Sequence, residues 1–182
     1  SLLTYFHRSK LNISYQTLRD CCKETTIEMQ QLEIKNNQYF IEAFNLQNEL
    51  APDVPLNEIT LTCNPYYRYG KDKREEELET LLLADTMREY ISYSVGCMLG
   101  RYSLEKSGLI LANQGETITD YLSQISSPIF MADEDNVIPI LEGDWFSDDI
   151  VERFRQFLRI TFGDEHFQEN LKFIDRKSTR LN

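Results

Sequence analysis

The residues of this chain best suited to chemistry lie close together. Between Thr62 and Arg74 the sequence gathers Tyr66, Tyr67 and Tyr69, then Gly70, and four cations, Arg68, Lys71, Lys73 and Arg74. Cationic side chains neutralise phosphates, and tyrosine rings stack on bases in a sequence-tolerant way. Arg68, Lys71, Lys73 and Arg74 are therefore candidate nucleic-acid contacts. The same composition fits a second arrangement, in which the tyrosines bury against neighbouring helices and the charges are simply solvated.

Other groupings fail on spacing. Asp133-Glu134-Asp135 begins like a calcium loop, but Ile138 stands where that loop requires glycine. Glu33-Ile34-Lys35 has the order of a nuclease Glu-x-Lys string, yet it falls on the solvent side of a helix. Cys21, Cys22, Cys63 and Cys97 show no Cys-x-x-Cys pair, and His7 and His166 are the only histidines. A zinc site has no template here. No Ser/His/Asp or Cys/His set stands out for nucleophilic catalysis. Scattered free thiols fit a reducing, cytoplasmic setting.

Composition bounds the rest. The 182 residues are 41% hydrophobic and 27% charged, enough for one medium domain or two small ones with a core. A net charge of −11 argues against nucleic-acid binding by the whole surface and for a local basic edge. That edge lies near residue 70, while Asp133, Glu134, Asp135, Glu142, Asp144, Asp148 and Asp149 concentrate negative charge later. No apolar run approaches the roughly 18 residues of a membrane span, so no membrane partner is expected. Ser1 to Arg8 lack the pattern of a signal peptide. Without an initiator methionine, the chain reads as starting inside a longer one.

The elements that must position the turn follow from periodicity. Leu11, Tyr15, Leu18, Cys22, Thr25, Met29, Leu32, Asn36, Tyr39, Ala43 and Leu46 alternate steps of four and three, the seam of a long helix with coiled-coil character. Ser14 is the expected N-cap, and Pro52 closes the loop beyond. Ile59, Leu61 and Cys63 alternate with threonines, predicting a short strand into the turn. Glu75, Glu76 and Glu77 start a second helix with a stripe of Leu78, Leu81, Ala84, Met87, Ile91, Val95 and Met98, ending between Gly96 and Gly100. Leu109 to Leu111 is a short strand or apolar turn, and Thr117 to Ile125 a short helix broken at Pro128. Val137 to Ile140 is extended, with Pro139 excluding a central strand. Ser147 is expected to cap a helix carrying Ile150, Val151, Phe154, Phe157 and Leu158, ended by Gly163, and a shorter helix runs through Phe167, Leu171 and Ile174. The expected fold is mainly α with minor β: a helical spacer over 1–52, a mostly helical domain with short strands over 53–175, and a tail over 176–182.

Asn64-Pro65-Tyr66-Tyr67 differs by one residue from the Asn-Pro-Pro-Tyr signature of enzymes that methylate adenine in DNA. In those enzymes the Asn side chain and the proline-adjacent carbonyl accept hydrogen bonds from the adenine amino group, and an aromatic ring stacks on the extruded base. A glycine-bearing cofactor turn should precede the motif, but the chain has no glycine before Gly70. The catalytic reading is therefore set aside in favour of a turn between two elements.

A wider set of strings, in order, resembles one family: the adenine-specific DNA methyltransferases of BREX phage-defence systems, known as PglX. The strings are Asn36 to Leu50, Ile59 to Pro65, Tyr67 to Gly70, Ala84 to Tyr93, Gly96 to Met98, Gly100 to Leu104, Gly108 to Glu116, Asp133 to Asn136 and Phe154 to Leu158, and they span roughly residues 20 to 175. The resemblance implies S-adenosylmethionine as methyl donor and N6 of adenine in double-stranded DNA as acceptor. It also implies that this chain is an interior or C-terminal piece beyond the catalytic domain. No cofactor-binding or catalytic residue of the family maps onto it, so no cofactor is expected to bind here. Arg176 to Asn182 departs from the family and resembles translated adaptor sequence. The function expected is that of a non-catalytic fragment supporting DNA recognition or domain arrangement. The alternative is a helical module that docks another defence-system subunit.

Overall fold

In a computed structural model, the chain is described over residues 10–70, 72–140 and 148–178, the side chains of 177 and 178 excepted. Six α-helices are present among the described residues: α1 (Leu11–Ala43), α2 (Pro65–Tyr69), α3 (Glu75–Met98), α4 (Ile118–Gln124), α5 (Ile150–Phe162) and α6 (Phe167–Ser178). Single 3-10 turns occupy Leu56–Glu58 and Asp164–His166. The mainly helical expectation holds, but the described residues contain no strand. None of the helices is long and apolar enough to cross a membrane. By backbone contacts the chain divides into one unit of Ser1–Ser14 with Asp85–Asn182 and another of Tyr15–Ala84.

Within Tyr15–Ala84, α1 packs partly by its heptad seam as far as Cys22 and by a different face beyond it. Arg19, Thr26 and Ile41 are buried and Tyr15, Cys22, Gln30 and Asn37 half-buried, whereas Thr25, Met29, Leu32, Asn36 and Tyr39 are exposed. The geometry explains the split. A straight helix drifts about 20° per heptad against a 3.5-residue repeat, so a stripe starting at Leu11 has turned about 80° by Tyr39. The packed face is also polar for a reason. It covers the irregular segment after α1, whose carbonyls need donors. Gln30 Nε2 donates to Val54 O at 2.7 Å, and Asn37 Nδ2 to Pro52 O at 3.2 Å.

The strand expected at Ile59–Cys63 is instead a chain of turns. Ile59 N–H returns to Leu56 O, Leu61 N–H to Ile59 O, and Asn64 N–H to Leu61 O. Carbonyls closed locally cannot join a ladder, and no second strand is there to receive them.

In the other unit, Tyr90 sits within 6.2 Å of the Phe154, Phe157 and Phe162 rings and shares a hydrogen bond of 3.0 Å with Thr161. Phe130 meets Phe157 edge-on at 5.1 Å. Tyr93 stacks on Tyr102 at 5.3 Å, and a Cβ at Gly96 would lie 2.4 Å from the Tyr102 ring. Glycine is therefore needed there for close packing rather than to end α3, which runs on to Met98. Ile110, Tyr121, Ile125 and Ala132 form a smaller cluster. Leu109–Leu111 is an apolar turn, with Ile110 N–H on Arg101 O and Leu111 N–H on Gly100 O, and Val137–Ile140 forms no strand. Thr117 and Asp120 close a capping box on α4. The N-cap of α5 is Asp149, whose side chain accepts from Glu152 N–H at 2.7 Å; Ser147 lies outside the described residues. Nor does Ser14 cap α1: it is buried within the helix. The first amide, Leu11 N–H, is taken by Asn170 Oδ1 at 2.9 Å, a cap supplied from 159 residues away.

One ion pair ties α1 to α3 inside Tyr15–Ala84. Arg19 Nε and Nη2 reach Glu79 Oε2 and Oε1 at 2.8 and 2.7 Å, and Lys23 Nζ stands 3.6 Å from Oε1. The Arg19 side chain is 6% exposed. Hydrogen bonds from Arg19 hold the Glu79 carboxyl below its ordinary range, against the opposing effect of burial. The pair therefore stabilises the fold above the unfolded carboxyl pKa of about 4.3, and its contribution is lost as acid protonates the native carboxyl. Glu79→Gln should cost about 2 kcal/mol at neutral pH, below the full value for a buried pair because Glu79 is partly exposed. Urea unfolding as a function of pH should show that cost shrinking below about pH 4.

Candidate functional site

The aromatic–basic turn is built on Asn64, which is fully buried. Its Oδ1 accepts from Tyr66 N–H at 3.1 Å, making it the N-cap of α2, with Pro65 in the first turn where no amide is needed. Its Nδ2 donates to Leu56 O at 2.6 Å and to Ile59 O at 2.9 Å. Both amide protons and the carbonyl oxygen are thus engaged. An asparagine in this state cannot receive the amino group of a base. The near-match to a methylation motif is a structural latch.

The cations lie around the short helix that this latch starts. Arg68 is exposed, with its guanidinium 5.5 Å from the Tyr69 ring centre. Lys73 donates to Tyr69 O at 2.9 Å and so closes the end of α2. Arg74 is 79% exposed; its Nη2 stands 3.3 Å from Glu77 Oε1, and its amide donates to Glu77 Oε2 at 3.1 Å. The Arg74 amide and then its side chain hold the Glu77 carboxyl below its ordinary range. Lys71 lies outside the described residues. Tyr67 is 46% exposed, while Tyr66 and Tyr69 are half-buried. Tyr67 and Arg68 thus face solvent, and the other two rings pack.

A cavity of about 200 Å³ adjoins α2, lined by Arg19, Lys23, Ile27, Leu56, Pro65 and Tyr66 among others. It holds no constellation for nucleophilic chemistry. Burial pushes the Cys22 thiol up to about 12, with Cys63 adding to the shift, and the Cys97 thiol up to about 11. Neither is a ready thiolate. Among the described residues no three His, Cys, Asp or Glu side chains gather as a metal site. What sequence reasoning missed is the role of Asn64 and of the distant cap at Asn170. The signal for the first was present in Asn-Pro, an N-cap followed by proline at the first helical position. The second leaves no local trace.

A helical fold of this kind does not define an activity by itself, and no family model matches the chain. Its relatives define the class: over most of its length the chain is related to a segment of the PglX-type adenine-specific methyltransferases. It is 34% identical over 177 residues to the adenine-specific methyltransferase BrxX of Escherichia coli O9:H4 (strain HS), a match that takes in 93% of this chain and 14% of that protein. It is 31% identical over 140 residues to the adenine-specific methyltransferase PglX of Lacticaseibacillus casei (strain Zhang), covering 76% of this chain and 10% of the relative. The chain thus spans a small part of the length of the curated relatives it matches.

The latch is open to direct test. Asn64→Ala would remove the cap of α2 and the side-chain donor to two carbonyls that each keep one backbone N–H, at a cost of about 2 kcal/mol. Asn64→Asp keeps the cap but sets a carboxylate against two carbonyl oxygens and should destabilise further. Urea denaturation of both variants reads the order. A neutral Asn64→Ala would show that the amide is not structural.

Proposed function

We propose that this chain is a non-catalytic segment of an adenine-specific DNA methyltransferase of a phage-defence system, supporting DNA recognition or domain arrangement. In this reading the longer enzyme binds S-adenosylmethionine elsewhere and methylates N6 of adenine in double-stranded DNA. The observation that carries the proposal is the match over 93% of this chain to 14% of an adenine-specific methyltransferase. The engaged amide of Asn64 supports the non-catalytic part. Arg68, Lys71, Lys73 and Arg74 are the proposed phosphate contacts.

Two measurements test it. The isolated chain, given labelled S-adenosylmethionine and duplex DNA, should transfer no methyl group; appreciable transfer would end the non-catalytic reading. Replacing Arg68, Lys71, Lys73 and Arg74 together by alanine should reduce the magnitude of the slope of log affinity against log salt by about 3.6. A slope that stays where it was removes these four as DNA contacts.

A second reading, docking of another subunit or domain, is favoured by the exposed seam. Leu32, Tyr39 and Phe40 are each more than half exposed along one side of α1, and such apolar stripes mark interaction surfaces. Leu32→Asp with Tyr39→Asp should leave the stability of the isolated chain within about 0.5 kcal/mol. The same change should abolish association with the separately expressed remainder of the enzyme. A large loss of stability in the isolated chain would instead mean that the stripe is already covered.

A further inference from the structure

From Thr25 to Ala43 the heptad seam of α1 is exposed, and its shape and charge narrow what can cover it. Met29, Leu32, Tyr39, Phe40 and Phe44 are between 38% and 67% exposed. Phe44 continues the last helical turn, its amide donating to Phe40 O at 3.1 Å. At 3.6 residues per turn these five side chains and Asn36 fall within about 140° of one face, over a length of about 22 Å. Met29, Leu32, Asn36, Tyr39 and Ala43 keep steps of three and four, which suits the knobs and holes of another helix. A polar residue such as Asn36 amid an apolar seam is the kind that fixes register between two helices.

The charges beside the seam discriminate between occupants. With Met29 and Asn36 at a positions, Glu28, Lys35 and Glu42 fall at g and Glu33 at e. A second copy of this chain lying parallel would set Glu28 of one copy against Glu33 of the other. An antiparallel pair centred on Lys35 would set Glu28 against Glu42 at both ends and lysine against lysine. Like charges at these flanks select against self-pairing. Glu28 and Glu42 are exposed and form no ion pair among the described residues, so they complement cations on a partner. Lys35 is engaged locally, its ammonium 5.9 Å from the centre of the Tyr39 ring.

Composition also separates a permanent neighbour from a passing one. Transient interfaces are about as apolar as ordinary surface, whereas permanent ones resemble a core cut in half. A stripe holding Met29, Leu32, Tyr39, Phe40 and Phe44 belongs with the second kind. The match to BrxX takes in only 14% of that protein, so a parent of similar size has ample chain elsewhere to supply the neighbour.

We propose that this stripe is covered by one helix from elsewhere in the same longer polypeptide, apolar along its seam, with lysine or arginine placed to meet Glu28 and Glu42. The assignment rests on the docking reading above and names the partner which that reading leaves open.

Photocross-linking in the intact longer polypeptide identifies the neighbour, with p-benzoylphenylalanine introduced in place of Glu28 or of Glu42. Both positions should link to one segment outside this chain, at sites about 14 residues apart and within a turn of lysine or arginine. A synthetic peptide of that segment should bind the present chain. Glu28→Lys with Glu42→Lys should weaken its binding about tenfold at about 0.05 M salt and less at about 1 M, where screening leaves a range of about 3 Å. Cross-links to a second copy of this chain or to a separate subunit overturn the assignment. So does a loss of affinity that is the same at both salt concentrations. These outcomes leave the docking reading standing. That reading fails instead if Leu32→Asp with Tyr39→Asp keeps full association with the remainder of the enzyme.

Discussion

An irregular segment can pack against a helix only if something answers its backbone carbonyls, and in Tyr15–Ala84 that demand is met by three side-chain amides. Gln30 takes Val54 O, Asn37 takes Pro52 O, and Asn64 takes both Leu56 O and Ile59 O. The rest of the unit follows from this. α1 must turn a partly polar face inward, its apolar seam is left facing out, and the segment folds as successive turns instead of a strand. The buried Arg19–Glu79 pair then ties the start of α3 to the same polar face. A wholly apolar face on α1 would strand the carbonyls of Pro52 and Val54, and each unmatched group costs about 1–3 kcal/mol.

The same demand decides what chemistry is left. An asparagine beside a proline and two tyrosines has the parts to hold an amino group, but only while its amide is free. Here both its amide protons and its oxygen are engaged inside the fold, and the side chain is buried. What remains for function is outside the latch, in the cations around α2.

Where local pattern and tertiary demand agree, the sequence is legible. α3, α4, α5 and α6 lie close to where their apolar spacing and flanking turn residues place them, because each buries the stripe that its sequence advertises. α1 is legible in extent and misleading in face. Periodicity weighs only apolar residues, whereas the packed side is chosen by Arg19, Thr26, Gln30 and Asn37, whose partners are the Glu79 carboxylate and backbone carbonyls that no periodicity registers. Ile59, Leu61 and Cys63 alternate as a strand would, but alternation cannot report that a pairing strand is missing. The cap of α1 by Asn170 is a contact between distant positions, so the local preference for Ser14 lost to it. The four basic residues were legible as a group from composition alone, because surface charge needs no packing to be read.

Whether cations near acids can still meet phosphate is a question of relative cost. Arg74 and Glu77 are exposed, and water screens such a pair so that it contributes little. Lys73 at the end of α2 holds a carbonyl that water would otherwise satisfy. Freeing either side chain therefore costs less than a charge-assisted phosphate contact returns, about 1.5–3 kcal/mol for a hydrogen bond to a charged group. Arg19 is the opposite case. Its partner is fixed, its surroundings are dry, and removing it from Glu79 would leave the Arg19 charge buried without a partner. A chain of net charge −11 can thus offer a local basic edge, provided the cations it offers are the cheaply held ones. Lys73 and Arg74 meet that condition.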